Sequence, residues 1–105
     1  MELIDKSNLY SAISTLKYNY KNKIIPPFHY RPNKYPKNFE PKIDLMLLSY
    51  TITYYAEMCK CGIYIPEDNL KKVNCAQEIL YVGDYSIENF NLAKKYIDTA
   101  IDELD

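Results

Sequence analysis

The residues best equipped for chemistry fall in two places. His29, the single histidine, sits in Phe28-His29-Tyr30-Arg31 beside Arg31, the single arginine. The three cysteines are Cys59, Cys61 and Cys75. A zinc site of three thiolates and His29 would want about two to four residues between its paired cysteines, and Cys59-x-Cys61 leaves one. On a helix, positions two apart also point away from each other. The simpler expectation is three free, largely buried thiols acting as small hydrophobes. A Cys–His nucleophile pair has no local signature here. Two glycines are too few for a phosphate-cradling loop or a dinucleotide fingerprint. The neighbouring acids, Glu67-Asp68 and Asp102-Glu103, fall at helix ends and lack metal-ligand spacing. The sequence therefore predicts no catalytic residue, no metal ligand and no cofactor, and a protein that is not an enzyme.

One stretch rises above this background. Lys23 to Glu40 carries Pro26, Pro27, Pro32 and Pro36, with Pro41 just after. Proline removes a backbone donor and pushes the preceding residue toward extended geometry, so neither a helix nor a central strand fits. Long connections inside small domains are usually functional or disordered. Disordered linkers are poor in aromatics, and this one holds Phe28, Tyr30, Tyr35 and Phe39. The expectation is an ordered loop over residues 23–41, with Phe28 and Phe39 packed inward. Tyr30, Arg31, Lys34, Tyr35 and Lys37 are then the partner-binding residues. Tyrosine and arginine are frequent anchors of protein contacts. The same mixture of rings and cations would suit a single-stranded nucleic acid or a nucleotide. The bland alternative is a core-covering loop with solvated lysines.

The elements that must position this loop are helical. Residues 41–62 open on Pro41 and stop at Gly62, with only Asp44 and Glu57 as charges between Lys42 and Lys60. Ile43, Met46 or Leu47, Tyr50, Tyr54 and Met58 form one apolar line. Leu45, Leu48, Ile52, Tyr55 or Ala56, and Cys59 form another. A helix apolar nearly all round belongs in the middle of the fold, and Leu48 and Ile52 are expected to be nearly fully buried. A first helix, about Ser7 to Tyr20 and capped by Asp5 or Ser7, shows Leu9, Ile13 with Ala12, Leu16 and Tyr20 at helical spacing. Pro66 starts a third helix, with Glu67 and Asp68 at its positive end, Leu70, Val73, Ala76 or Gln77, and Leu80 as its buried face, and Gly83 as its stop. Asp84 or Ser86 caps a fourth, about Ile87 to Leu104, with Phe90, Ala93, Ile97, Ala100 and Leu104 spaced as in antiparallel bundles, and Leu92, Tyr96 and Ile101 widening that face. Its acidic end, Asp98, Asp102, Glu103 and Asp105, opposes the helix dipole and calls for basic neighbours; the lysine-rich loop is a candidate. The predicted fold is one all-α domain, residues 1–105: a small four-helix bundle with a long proline-rich ordered loop between helices one and two.

Composition narrows the function less than the fold. At 105 residues and 48% hydrophobic the chain supports one core. Net charge is −1, but Lys17 to Lys42 holds seven basic residues and one acid, whereas Ile43 to Asp105 holds five basic and eleven acidic residues. These halves attract one another within a chain, pair antiparallel in a homodimer, or leave the basic part for an anionic partner. An odd cysteine count without a signal peptide predicts an intracellular, cytoplasmic setting, and no apolar run predicts a membrane span. Twelve tyrosines alongside abundant lysine, asparagine and isoleucine suit an AT-rich genome. The functional expectation is a non-enzymatic protein-binding module, a small inhibitor or adaptor of viral or mobile-element origin. A nucleic-acid or nucleotide binder using the same loop is the alternative.

Overall fold

A computed structural model describes residues 3–25, 42–81 and 86–104, and every regular element among them is helical. A 3-10 turn over Leu9–Ser11 runs into α1 (Ala12–Lys21), followed by α2 (Lys42–Lys60), α3 (Glu67–Tyr81) and α4 (Ile87–Glu103). The four predicted helices are present, but the first begins at Ala12, after a 3-10 turn, and not near Ser7, and neither Asp5 nor Ser7 caps it: the Asp5 carboxylate accepts from Ser7 N–H at 2.9 Å instead. Beyond Ile25, the proline-rich stretch with Tyr30, Arg31, Lys34, Tyr35 and Lys37, and with Phe28 and Phe39, lies outside the described residues, as does Gly83.

The middle of the fold is α2, as its composition predicts. Leu45, Leu47, Leu48, Tyr50, Ile52, Tyr54, Tyr55 and Met58 are all buried, with Leu48 at 1% and Ile52 at 5% exposure. The burial is not complete, however. Ile43 and Met46 stand 57% and 42% exposed.

Two helices end in the same way. At the end of α2, Gly62 takes φ +79°, its N–H donates to Cys59 O at 3.1 Å, and Ile63 N–H donates to Met58 O at 3.0 Å. At the end of α1, Lys23 takes φ +54°, its N–H donates to Tyr20 O at 3.3 Å, and Ile24 N–H donates to Asn19 O at 2.8 Å. Both are paired 6→1 and 5→2 closures around a left-handed residue. In α2 that residue is the predicted glycine; in α1 it is a lysine.

The most extensive packing joins α3 to α4. Ser86 Oγ accepts from Asn89 N–H at 3.1 Å and starts α4, and Phe90, Ala93, Ile97, Ala100, Ile101 and Leu104 fill its inner side. Leu92, expected to widen that face, is exposed. On α3 the buried line is Asn69, Val73, Ala76 and Leu80, so a polar residue stands where Leu70 was expected, and Leu70 is half-buried. The cysteines correct a second expectation. All three are free, but Cys59 and Cys75 are exposed and Cys61 is half-buried, because the first two lie off the inner faces of α2 and α3.

Candidate functional site

The segment expected to carry function leaves the described structure at Ile25 and rejoins it at Lys42, so its two roots are what the fold fixes. Lys23 Nζ, from the closure after α1, lies 3.3 Å from Asp44 Oδ1 in the first turn of α2. The left-handed backbone of Lys23 turns the chain sharply out of α1 and places that ammonium across the gap. An L-residue in this conformation is strained by about 1–2 kcal/mol relative to right-handed backbone. Ile24, Ile43 and Met46 are exposed around the same roots.

Below the roots lies an open cleft of about 340 Å³ between α1, α2 and α4. Leu47 and Ile101 line it together with Tyr20, Lys21, Lys23, Asp44, Lys94, Asp98 and Asp102. The charges come in pairs: Lys21 with Asp102 at 3.4 Å, Lys23 with Asp44 at 3.3 Å, and Lys94 with Asp98 at 3.0 Å. Tyr20 donates its hydroxyl hydrogen to Asp98. Burial, then that bond to Asp98, then the carboxylates of Asp98, Asp44 and Asp102 hold the phenol far above its ordinary range. Tyr20 is therefore a neutral hydrogen-bond donor and not a nucleophile at physiological pH. With each ammonium against a carboxylate, the cleft has no free base and no free cation among these three pairs.

The acidic end of α4 receives the neighbours its sequence calls for, from α1 and α3. Lys17 Nζ donates to Leu104 O at 2.6 Å, Lys21 meets Asp102, and Lys72 donates to Glu103. Asn69 Nδ2 donates to Ala100 O at 2.8 Å, satisfying a carbonyl of the last turn that Leu104 N–H passes over in favour of Ile101 O. Lys17 and Lys21 of the basic front thus meet the acidic back within one molecule, as Lys23 meets Asp44.

Among the described residues no group of three or more histidine, cysteine, aspartate or glutamate side chains could hold a metal ion, and no helix is long and apolar enough to cross a membrane. His29 and the five predicted contact residues lie outside what is described. Sequence reasoning missed the grouping of Tyr20, Lys23, Asp44 and Asp98. The one local signal for it was the Lys94–Asp98 spacing of four on a helix face. Compared with protein-family models, with curated proteins and with solved structures, the chain matches none.

Proposed function

We propose that this chain is a non-enzymatic protein-binding module that presents residues 26–41 from one end of its helical body. The observation that carries the reading is the Lys23–Asp44 pair, which brings the departing and returning ends of that segment together. Exposed Ile24, Ile43 and Met46 extend the same end with apolar surface. A contact segment held at both ends loses less entropy on binding than one held at a single end. Arg31 and Tyr35 are the anchors in this reading, Arg31 through its planar fork and Tyr35 through its ring. A protein partner is favoured over nucleic acid because Lys17, Lys21, Lys23, Lys72 and Lys94 already face carboxylates or a carbonyl, which leaves these lysines unable to form a continuous phosphate-binding face.

The test combines Arg31→Ala with Tyr35→Ala and measures both capture of a partner from nuclease-treated extract and thermal unfolding. Capture should vanish while the melting temperature stays unchanged. Phe39→Ala should lower the melting temperature instead. Partner binding should also weaken little as salt rises. A steep linear fall of log affinity with log salt, together with loss of capture after nuclease treatment, would establish a nucleic acid as the partner.

A further inference from the structure

The outer line of α4 is left open where its inner line is filled. Glu88, Leu92, Lys95 and Thr99 follow one another at intervals of four, three and four, so they share one side of the helix, and all are exposed. Leu92 stands 45% exposed among them. Beside it, Leu92, Lys95, Tyr96 and Thr99 bound a hollow of about 270 Å³, with Lys72 of α3 completing its wall. The charges on this line are unmatched. Lys21, Lys23 and Lys94 of the cleft, and likewise Lys17, Lys60, Lys71 and Lys72, each meet a carboxylate or a carbonyl. The side chains of Lys95 and Glu88 make no ion pair or hydrogen bond among the described residues. They cannot meet one another within the chain. Seven residues of helix hold them roughly 10 Å apart along the axis, whereas pairing on one helix needs a spacing of three or four.

We propose that this line is a self-association surface whose occupant is α4 of a second copy of the chain, running antiparallel about a two-fold axis near Leu92. A two-fold interface uses the same patch on both partners: where residue i meets residue j, residue j meets residue i. Glu88 lies four residues before Leu92 and Lys95 three residues after it. The antiparallel arrangement therefore sets Glu88 of each chain beside Lys95 of the other, on either side of a Leu92–Leu92 contact. A parallel arrangement would set Glu88 against Glu88 and Lys95 against Lys95, which opposes it. The hollow next to Leu92 gives the second leucine room to bury itself against the ring of Tyr96 and the aliphatic stem of Lys95. Exposed ion pairs add little affinity and mainly fix register, so the leucine contact carries the association. One helix line buries far less than the roughly 1,200–2,000 Å² of a stable complex, which makes the dimer weak and dependent on concentration. The surface shares no residue with the Lys23–Asp44 junction.

Sedimentation equilibrium of the full chain, from about 10 µM to about 1 mM in low salt, tests this. The mean mass should rise from one chain toward two, with a dissociation constant on the order of 100 µM. Lys95→Glu and Glu88→Lys each set like charges across the interface, and each should weaken self-association at least about tenfold. Leu92→Gln should abolish it. Thermal unfolding should show all three variants folded, because the altered side chains are exposed. An equimolar mixture of the two charge variants should associate again, since each supplies the charge the other lacks. A monomer at every concentration overturns the proposal. A dimer that persists unchanged in Lys95→Glu and in Leu92→Gln overturns it equally, because the copies then meet elsewhere. So does a mixture of the two charge variants that stays monomeric, since Glu88 of one chain is then not beside Lys95 of the other.

Discussion

Tyr55 donates its hydroxyl hydrogen to Asn69 Oδ1 at 2.7 Å, and Asn69 Nδ2 passes the connection on to Ala100 O at 2.8 Å. Three helices are joined through this one buried amide. Removing the amide by Asn69→Ala strands both a phenol and a carbonyl, and should cost about 2–4 kcal/mol, near the upper end for buried polar groups left unmade. Tyr55→Phe leaves the Asn69–Ala100 link in place and should cost about 1 kcal/mol. Urea unfolding of both variants gives the comparison; equal costs would show that the carbonyl of Ala100 does not depend on Asn69.

Lys23 holds a conformation that glycine holds without strain. Lys23→Gly should relieve about 1 kcal/mol of that strain and forfeit up to about 0.5 kcal/mol of the exposed pair with Asp44. A small net gain in stability is expected by chemical denaturation. Gly62→Ala makes the opposite change at φ +79°, where an added Cβ meets nothing within 4 Å. Its cost, about 1 kcal/mol, is then backbone conformation alone.

Neighbours on α2 should respond with opposite signs. Leu48 is buried at the centre of the core, and Leu48→Ala should destabilise by about 2–5 kcal/mol through lost transfer energy and a residual cavity. Leu48→Asp should not fold. One position on, Ser49 Oγ is buried with no hydrogen-bond partner among the described residues. Ser49→Ala removes that unmet hydroxyl and should be neutral or stabilising by up to about 1 kcal/mol. Melting curves of the two alanine variants distinguish them directly.

Alkaline pH should unfold the protein through its tyrosines. Burial, with a smaller contribution from Tyr50 and then Cys61, pushes Tyr54 up to about 12 from 10.0. Burial is also the first cause of the rise at Tyr20, Tyr50 and Tyr55. A phenol whose folded pKa exceeds its unfolded value favours folding fully below the unfolded value. That contribution is lost as pH climbs from 10.0 toward the folded value. Phenolate absorbance and helical circular dichroism should therefore change together above pH 10 for the buried rings. Ionisation of every tyrosine near pH 10 with the helices intact would contradict the burial of Tyr20, Tyr54 and Tyr55.

Elements with one-sided patterns could be read from the sequence, and positions whose role depends on a distant neighbour could not. Phe90, Ala93, Ile97, Ala100 and Leu104 repeat at alternating intervals of three and four, and all are buried. The nearly uncharged run of α2 foretold its place at the centre. Asn69 gave no such signal, because a polar side chain on an inner line looks like an outer position until Tyr55 and Ala100 are placed around it. Lys23 was equally silent, since left-handed closure is announced by glycine or asparagine. Cys59 and Cys75 misled through the usual burial of free thiols. The grouping of Tyr20, Lys23, Asp44 and Asp98 needs three helices brought side by side, which no local spacing encodes.

The left-handed turn at Lys23 and its reach to Asp44 also bear on how the chain can change over time. A body that closes on itself at that junction is indifferent to how much polypeptide hangs between its two ends. Doubling the length of a closed flexible loop adds only about 0.6 kcal/mol of closure entropy. A change in the length of the connection between Ile25 and Lys42 should therefore cost the helices little, whereas the same change in the short connection 61–66 would displace the glycine that ends α2 and the proline that precedes α3. Variation in this protein can accumulate in one place, and a foreign recognition sequence grafted between Ile25 and Lys42 would inherit a ready-made frame.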